Sequence, residues 1–320
     1  MKLIGYDELR DSNDSDRAIV QLAAFGGFLD RRRIGLWRRR TSVFADYFGV
    51  FAVDRGTVVG QTFVLRIPYT FPHGTELVSG IAGVATRLDH ARTGVARQVL
   101  DEVHRREREA GIGYSMLWTN RSWGAHRLYE TLGYRDVYAP PWAVRVPPPR
   151  RPAPPRKTAR PGRRSDLEDI EQLHRRYAEG RWGFAQRPPN LMRVSVAAGD
   201  LRPREEILVV RTDGRLSGYA LVDSNQYRVI CGELVSRSRA IRTRLVSTME
   251  ARARHRPVAL RDAVVEESRP WLRRRGYSIA TAGWFSLMAM THGRERTRAQ
   301  LEREFGTTDP RFVCHDGDHF

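Results

Sequence analysis

The apolar positions in the first half of the chain follow two periods, which predict alternating strands and helices. Val95, Val99, Leu100 and Val103 recur at the spacing of one helix face. Short apolar runs bounded by glycine or proline predict strands. After an opening strand, the predicted strands are 47–53, 58–68, 77–86, 114–119 and 134–146, and the predicted helices are 15–24, 30–40, 94–110 and 122–132. The pattern indicates a mixed α+β fold.

Turn glycines suggest that the second half repeats this plan. Gly218 corresponds to Gly60 after a hairpin turn, and Gly276 corresponds to Gly133 at the end of a helix. The second copy is shorter between the hairpin and the last helix. Chance agreement of turn glycines is the alternative to an internal duplication.

A proline-rich segment separates the two halves. Nine of the 17 prolines lie between positions 140 and 161, where such a run favours an extended linker over a helix or a central strand. A ligand segment for a partner module is the alternative. The predicted organisation is a first domain at 1–146, a linker at 147–163, a second domain at 164–292 and a C-terminal tail at 293–320.

Composition narrows the class of protein. The 320 residues suit two domains, and the two cysteines exclude a disulfide framework. No apolar run approaches the roughly 18 residues of a membrane span, and the N-terminus has no leader-like apolar region. We therefore expect a cytoplasmic protein with no membrane partner.

The net charge of +18 raises the question of nucleic-acid binding. Lys2 and Lys157 are the only lysines, so the charge is almost entirely arginine, which is typical of a biased codon composition. Nucleic acid is not expected as the primary partner, although a polyanionic small ligand stays open.

The segment 83–97 carries the clearest chemistry. It joins a predicted strand to a helix start, where the amides of Thr93, Gly94, Val95 and Ala96 have no helical acceptors. These amides predict a pyrophosphate cradle, to which neighbouring arginines add charge. An ordinary strand-to-helix turn is the alternative.

This segment resembles the GNAT family of N-acetyltransferases, whose acetyl-CoA loop has the pattern Arg/Gln-x-x-Gly-x-Gly/Ala after a strand with Val-x-Val. The resemblance runs from Val84 to Ala96, with Thr86 in place of the second valine. A second family landmark, Asn-x-x-Ala-x-x-x-Tyr followed by Gly-Phe/Tyr, is similar to residues 122–134.

The resemblance implies tandem GNAT-fold domains, each a twisted, mostly antiparallel sheet flanked by helices. It implies transfer of an acetyl group from acetyl-CoA to a primary amine of a small molecule, with Tyr129 as general acid. The residues implied in acetyl-CoA binding are Val84, Ala85, Thr86, Arg92, Thr93, Gly94, Val95, Ala96, Arg97 and Ser122.

Three positions depart from the family pattern. Ala91 replaces the usual Arg or Gln, Ser122 replaces the Asn with Asn120 nearby, and Gly80 stands where several members carry a glutamate base. The proton acceptor is therefore open. Water and four side chains are candidates: His126, Glu76, His73 and Asp46.

The chain is also similar to enhanced-intracellular-survival-type acetyltransferases, in which an active domain precedes a degenerate one and the C-terminal carboxylate reaches the active site. This similarity implies a catalytic role for the carboxylate of Phe320. The second domain lacks a Gly-x-Gly/Ala loop and has Leu272 at the place of Tyr129, so we expect it not to bind CoA.

Other interpretations stay open. The domain could be a non-catalytic acyl-CoA sensor or scaffold, or an RNA-associated acetyltransferase. The segment 284–290 could form a homo-oligomer interface. Trp118, Trp123 and Trp142 line an acceptor pocket or belong to the core, and the residues from Cys314 onward are expected to be a polar tail and not a metal site.

Overall fold

Two seven-stranded sheets with flanking helices make up the fold in the computed structural model of the chain. The structure describes residues 1–28, 30–41, 46–146, 158–261, 263–281 and 285–314. The strands are β1 (Lys2–Gly5), β2 (Tyr47–Asp54), β3 (Thr57–Phe71), β4 (Gly74–Thr86), β5 (Tyr114–Asn120), β6 (Arg135–Tyr138), β7 (Pro141–Arg145), β8 (Arg160–Pro161), β9 (Ile207–Thr212), β10 (Arg215–Ser224), β11 (Val229–Ser236), β12 (Val258–Arg261), β13 (Ser278–Thr281) and β14 (Phe285–Thr291).

Helices lie between these strands and pack against the sheets. They are α1 (Asp14–Phe25), α2 (Arg31–Arg40), α3 (Val95–Glu109), α4 (Gly124–Thr131), α5 (Leu167–Ala178), α6 (Leu191–Ala198), α7 (Pro203–Glu206), α8 (Arg239–Ala253), α9 (Ala263–Glu266), α10 (Arg269–Arg274) and α11 (Arg298–Phe305). The predicted mixed α+β class with mostly antiparallel sheets is confirmed. None of the helices in the described ranges is long and apolar enough to cross a membrane.

The two sheets have the same architecture. The first has the order β1-β2-β3-β4-β5-β14-β6, and the second, counted from its other edge, has the order β8-β9-β10-β11-β12-β7-β13. Each contains one parallel pair, β4 with β5 and β11 with β12, and its other neighbours are antiparallel. The shared order supports the internal duplication.

The paired glycines have matching roles in the two copies. A Cβ atom on Gly60 would lie 2.4 Å from Cγ1 of Val95 in α3, and one on Gly218 would lie 2.5 Å from Cγ2 of Ile241 in α8. Each glycine therefore allows the major helix of its half to lie directly against the sheet.

The halves exchange one strand each, which the sequence did not predict. β14 lies between β5 and β6, with Met288 paired to Leu117 and to Asp136. β7 lies between β12 and β13, with Ala143 paired to Leu260 and to Ile279. The predicted boundary in the proline-rich segment therefore does not separate the sheets, because Pro141 opens a strand of the second sheet.

Strand β14 is an internal element of the first sheet. Leu287, Met288 and Ala289 are buried within the chain. The predicted homo-oligomer interface through this segment is wrong over 285–290, because both edges of the strand are already paired. Trp284 lies outside the described residues.

The region expected to be a C-terminal tail contains a helix with buried residues. Phe305 of α11 has no exposed surface, and its ring lies 5.0 Å from that of Phe71 and 5.6 Å from that of Tyr114. Residues up to Cys314 continue this packing, and Cys314 itself is buried. The described part of the segment thus packs into the hydrophobic core beneath the first sheet.

A buried polar cluster joins α3 to the strand exchange. His104 Nε2 lies 2.9 Å from the Tyr134 hydroxyl, and Ser115 Oγ lies 2.7 Å from Nε2 of His292, which follows β14. Burial, with a contribution from nearby His292 and Arg108, lowers the pKa of His104 to about 3. Burial and the charge of Arg108 lower the pKa of His292 to about 4. Both imidazoles are therefore neutral in the folded protein at neutral pH.

We predict that neither half folds independently. A fragment of residues 1–146 lacks β14 and leaves β5 and β6 without their shared partner, so it should show no cooperative thermal transition. Co-expressed fragments 1–146 and 158–320 should associate and recover one. Circular dichroism melting checks both outcomes, and a wild-type transition in 1–146 alone would contradict the exchange.

Acidification should destabilise the fold through the two histidines. Their folded pKa values lie below the unfolded value of about 6.5, so below that pH the unfolded state binds more protons and stability falls. One such group contributes about 2 kcal/mol of loss between pH 7 and pH 5. His104→Gln should reduce this pH slope in urea unfolding, whereas the exposed control His255→Gln should not. Equal slopes in the two variants would refute the assignment.

Candidate active site

The backbone of β4 is interrupted by a bulge. Gln61 of β3 pairs with Ala85 and Phe63 pairs with Ala82, so Gly83 and Val84 together oppose one residue. Gly83 has φ +60°, and a Cβ atom there would lie 2.7 Å from the Phe63 ring. A glycine is required at this point, and the bulge turns the strand's backbone groups away from the regular ladder.

Strands β4 and β5 are hydrogen-bonded to each other only at their beginning. Ser79 pairs with Ser115 and Gly80 pairs with Met116. The following residues of the two strands, all within the described ranges, do not pair with each other. A wedge therefore opens between 81–86 and 117–120. The resulting free backbone edge is suited to hydrogen bonding an extended, amide-containing ligand.

The loop after β4 leads directly into the uncapped start of α3. Arg92 and Gly94 both have positive φ, +63° and +86°, and Gly94 is the N-cap residue without a side chain to cap the helix. The first helical hydrogen bond is donated by the Gln98 amide to the Gly94 carbonyl at 3.0 Å. The amides of Val95 and Ala96 thus point out of the helix with the positive end of its dipole.

Side chains around this loop fit an anionic, extended ligand. The hydroxyl oxygen of Thr86 is buried and has no hydrogen-bond partner among the described residues. The Thr93 hydroxyl donates to the His90 carbonyl at 2.7 Å, and Arg97 contacts the Thr131 hydroxyl on α4. Arg92 is exposed at the mouth of the loop. The role of these residues in acetyl-CoA binding stays a prediction.

Tyr129 lies on the buried face of α4. It is 6% exposed and belongs to the apolar cluster with Val95, Val99 and Leu117, and its ring makes an edge contact with that of Tyr134 at 5.8 Å. Burial raises the pKa of the Tyr129 hydroxyl above its ordinary value. The phenol is therefore protonated and able to donate, as a general acid must be.

Ser122 is engaged with the neighbouring asparagine. Its amide and its hydroxyl both donate to Oδ1 of Asn120, at 2.9 and 2.7 Å. The two residues form a local turn at the end of β5. These hydrogen bonds hold Ser122 in a defined local conformation.

Of the candidate bases, only His126 lies near Tyr129. It sits one helical turn earlier, is 8% exposed, and its Nε2 lies 3.2 Å from a carboxylate oxygen of Asp136. His73 and Glu76 are 2.9 Å apart and partly exposed on the β3–β4 hairpin. At about 3.3 Å per residue, Glu76 is some 20 Å along the strand from the bulge. They are too distant to act there.

Other sequence candidates are dispersed or lie outside the described residues. Asp46 is exposed and precedes β2. The predicted catalytic residue Phe320 falls within 315–320, outside the described residues, and its role stays a prediction. Within the described ranges, no group of His, Cys, Asp and Glu is arranged to hold a metal ion.

The three tryptophans do not form one pocket. Trp118 stacks on Phe285 with ring centroids 5.3 Å apart, and Trp123 is 54% exposed. Trp142 lies in the second sheet, where Arg261 packs over its ring at 4.6 Å. The strand exchange separates Trp142 from the first sheet, so a pocket shared by all three is wrong.

A cleft of about 470 Å³ opens beside the bulge, and sequence reasoning missed it. Ala82 and Gly83 form part of its wall, and α1 and α2 form its opposite side. Asp200, after α6, brings the second half to the rim. The lining side chains from the first half are Gln21, Phe25, Phe28, Arg33, Ile34, Trp37, Tyr47, Phe63 and Leu65. No sequence motif marks this set, which α1 and α2 assemble over β2 and β3.

The second half lacks an equivalent cradle. At the start of α8, the Ser238 side chain accepts a hydrogen bond from the Ile241 amide at 3.3 Å, so the helix caps itself. The Tyr277 amide donates to the Leu272 carbonyl as the Tyr134 amide donates to that of Tyr129, which confirms Leu272 as the structural counterpart of Tyr129. The second copy has neither the open cradle nor the phenol.

Known proteins show the same fold and one family signature. Residues 10–137 match the family model described as an acetyltransferase (GNAT) domain. Comparison with curated proteins finds no match.

Among solved structures, a probable N-acyltransferase of unknown function from Enterococcus faecalis is similar with a TM-score of 0.66 and 10% identity, covering 91% of this chain and 73% of that one. A GCN5-related N-acetyltransferase from Kribbella flavida has a TM-score of 0.60 and 18% identity, with 91% and 71% covered. Eis1 from Mycobacterium abscessus has a TM-score of 0.56 and 15% identity, with 90% and 73% covered.

The family match lies in the first half, and the structural similarity extends over both halves. The family model covers the bulge, the loop and α4, and the solved structures extend the shared fold over both sheets. Residues 10–137 thus match a GNAT acetyltransferase domain, and the chain as a whole has the fold of the solved GNAT proteins, with two sheets of the same strand order.

Proposed function

We propose that the protein transfers an acetyl group from acetyl-CoA to a primary amine of a small molecule by direct attack. The observation that carries this proposal is the uncapped, glycine-led start of α3 beside an open wedge. The second copy, which has the same fold, closes this feature with Ser238. Retention of an open cradle in one copy alone favours a single cofactor site.

The residues of the first half fit the parts of acetyl-CoA in order along the wedge. The amides of Val95, Ala96 and Arg97 would bind the pyrophosphate, with the Arg92 guanidinium adding charge. The positive φ of Gly94 brings the backbone close. Thr93 lies at the same turn.

The pantetheine arm would lie along the free edge of β4. Val84, Ala85 and Thr86 form this edge, and the orphaned Thr86 hydroxyl offers a donor to a pantetheine amide. Ser122 stands across the wedge at the end of β5. When bound, acetyl-CoA supplies a thioester activated for attack by an amine.

The chain orients the reacting groups and stabilises charge. Backbone N–H groups at the Gly83–Val84 bulge would donate to the oxygen that becomes negative during attack. The amine enters from the cleft on the opposite side of β4, forms the new C–N bond, and displaces the thiolate. Tyr129 donates its proton to that thiolate.

The amine loses its proton to water in the cleft. Gly80 offers no side chain, and the described residues lining the cleft include one carboxylate, Asp200, which already accepts hydrogen bonds from Arg33 and Trp37. His126 is likewise held by Asp136. Solvent is the acceptor that this arrangement leaves accessible.

Gly94→Glu should weaken acetyl-CoA binding by more than about tenfold, because it places a carboxylate at the phosphate cradle and strains the backbone. Gly214→Glu is a matched control, since Gly214 also has positive φ but lies in the β9–β10 turn. Isothermal titration should show near wild-type affinity for the control. Equal losses in both variants, or none in either, would rule out the cradle.

Tyr129→Phe should lower thiol release from acetyl-CoA by about 100-fold or more while leaving acetyl-CoA affinity unchanged, because it removes only the acid. Tyr227→Phe, at an exposed tyrosine, is the control. Release is followed with a thiol reagent in the presence of an amine panel. Undiminished thiol release by the Tyr129→Phe variant would contradict the assignment of Tyr129 as the general acid.

The same assay separates an enzyme from a non-catalytic acyl-CoA sensor. The sensor is favoured by the absent carboxylate at Gly80 and by the engagement of Ser122 with Asn120. Tight acetyl-CoA binding by the wild type without release to any amine would establish the sensor.

A further inference from the structure

The walls of the cleft beside β4 are mainly aromatic. Five aromatic rings surround it, together with two branched aliphatic side chains, whereas its charged groups are one guanidinium and one carboxylate among the described residues. A surface of this kind favours a ligand with a large apolar group over a strongly hydrated ligand.

The charged pair occupies a defined place at the rim. The Arg33 amide donates to the Asp30 carboxylate at 2.7 Å, which fixes Arg33 in the first turn of α2. Its guanidinium contacts Asp200, which is held at the C-terminal end of α6 by a hydrogen bond from its own amide to the Ser195 carbonyl. The pair therefore connects the two halves of the protein across the cleft.

The two members of this ion pair differ in how many of their polar atoms have hydrogen-bond partners. One oxygen of Asp200 contacts Nη2 of Arg33, and the other accepts a hydrogen bond from Nε1 of Trp37 at 3.1 Å. Arg33 Nε, in contrast, is buried and has no acceptor among the described residues. Asp200 is thus engaged at both oxygens, while the Arg33 side chain is still 38% exposed and can contact another group through its exposed N–H donors.

A carboxylate is the group that these donors match. The guanidinium fork presents parallel N–H groups with the spacing of two carboxylate oxygens, and it keeps its charge at every physiological pH. Arg33 is therefore arranged to receive an anionic group that enters the cleft.

The balance of charge excludes polycationic acceptors. A polyamine or an amino sugar with several ammonium groups would need several carboxylates, and Asp200 is already paired with Arg33. An amine with one carboxylate and an apolar side chain satisfies the free donors of Arg33 and the aromatic walls together.

We propose that the acceptor is an apolar α-amino acid or a close derivative that keeps its carboxylate, bound through Arg33 with its side chain among the aromatic rings of the cleft. Its amino group then faces the bulge at Gly83. This inference rests on the proposed acetyl transfer for its biological meaning, but the binding it describes is measurable without turnover.

The test compares two probes that differ by one carboxylate, L-phenylalanine and 2-phenylethylamine. Binding of each to the full chain is measured by isothermal titration, with and without CoA, for wild type, Arg33→Gln and Arg33→Lys. We expect Arg33→Gln to weaken L-phenylalanine binding by about 10- to 100-fold and 2-phenylethylamine binding by less than about twofold. Arg33→Lys keeps the charge without the fork and should fall between wild type and Arg33→Gln.

Arg32→Gln is the matched control. Arg32 is the preceding residue on α2 and is exposed. The Arg32→Gln variant should therefore bind both probes as wild type does. If Arg33→Gln does not fold, Arg33→Lys alone decides, because a loss confined to L-phenylalanine still requires the fork.

The outcomes distinguish this inference from the proposed reaction. Wild type that binds or acetylates 2-phenylethylamine or spermidine better than L-phenylalanine overturns the inference and leaves acetyl transfer intact. Arg33-dependent binding of L-phenylalanine without thiol release supports the inference and counts against the transferase. Equal loss of both probes in Arg33→Gln also overturns the inference, since it would report a general disturbance of the cleft.

Discussion

The hydrogen bonding of β14 between β5 and β6, and of β7 between β12 and β13, is the constraint on which the rest of the structure depends. Each sheet is completed by a strand from the other half, so the backbone groups of two central positions are satisfied only in the whole chain. The exchange also positions α4, since β6 follows it and pairs with β14. The wedge and its phenol are therefore fixed by residues that lie far apart in sequence.

The two copies share a backbone and differ in a few side chains that determine chemistry. At the start of the major helix, Gly94 leaves the amides of α3 open, whereas Ser238 caps α8. On the following short helix, a buried phenol at Tyr129 corresponds to Leu272. In the proposed function, the first copy holds the anionic, extended cofactor, and the other contributes a sheet, an exchanged strand and Asp200 at the rim of the cleft.

Sequence reasoning found the elements that depend on local physics. The periodicity of Val95 to Val103 located α3, and Gly94 marked the helix start, where its φ is positive. The bulge at Gly83 was not predicted. It did not find the strand exchange, because apolar runs predict a strand without naming its neighbours. The apolar pattern predicts one strand over 134–146, whereas Pro141 begins a separate strand that belongs to the other sheet. The cleft was missed for a similar reason: Trp37, Phe63 and Asp200 meet only through tertiary packing.

The central claim is that one copy of the duplicated fold holds the cofactor and the other does not. Hydrogen–deuterium exchange of the full chain with and without acetyl-CoA tests it most directly, because it reports both copies in one experiment. The account predicts slower amide exchange at residues 84–97 on addition of acetyl-CoA and no change at 234–242, the corresponding segment before and within α8. Protection at 234–242, or at neither segment, would contradict it.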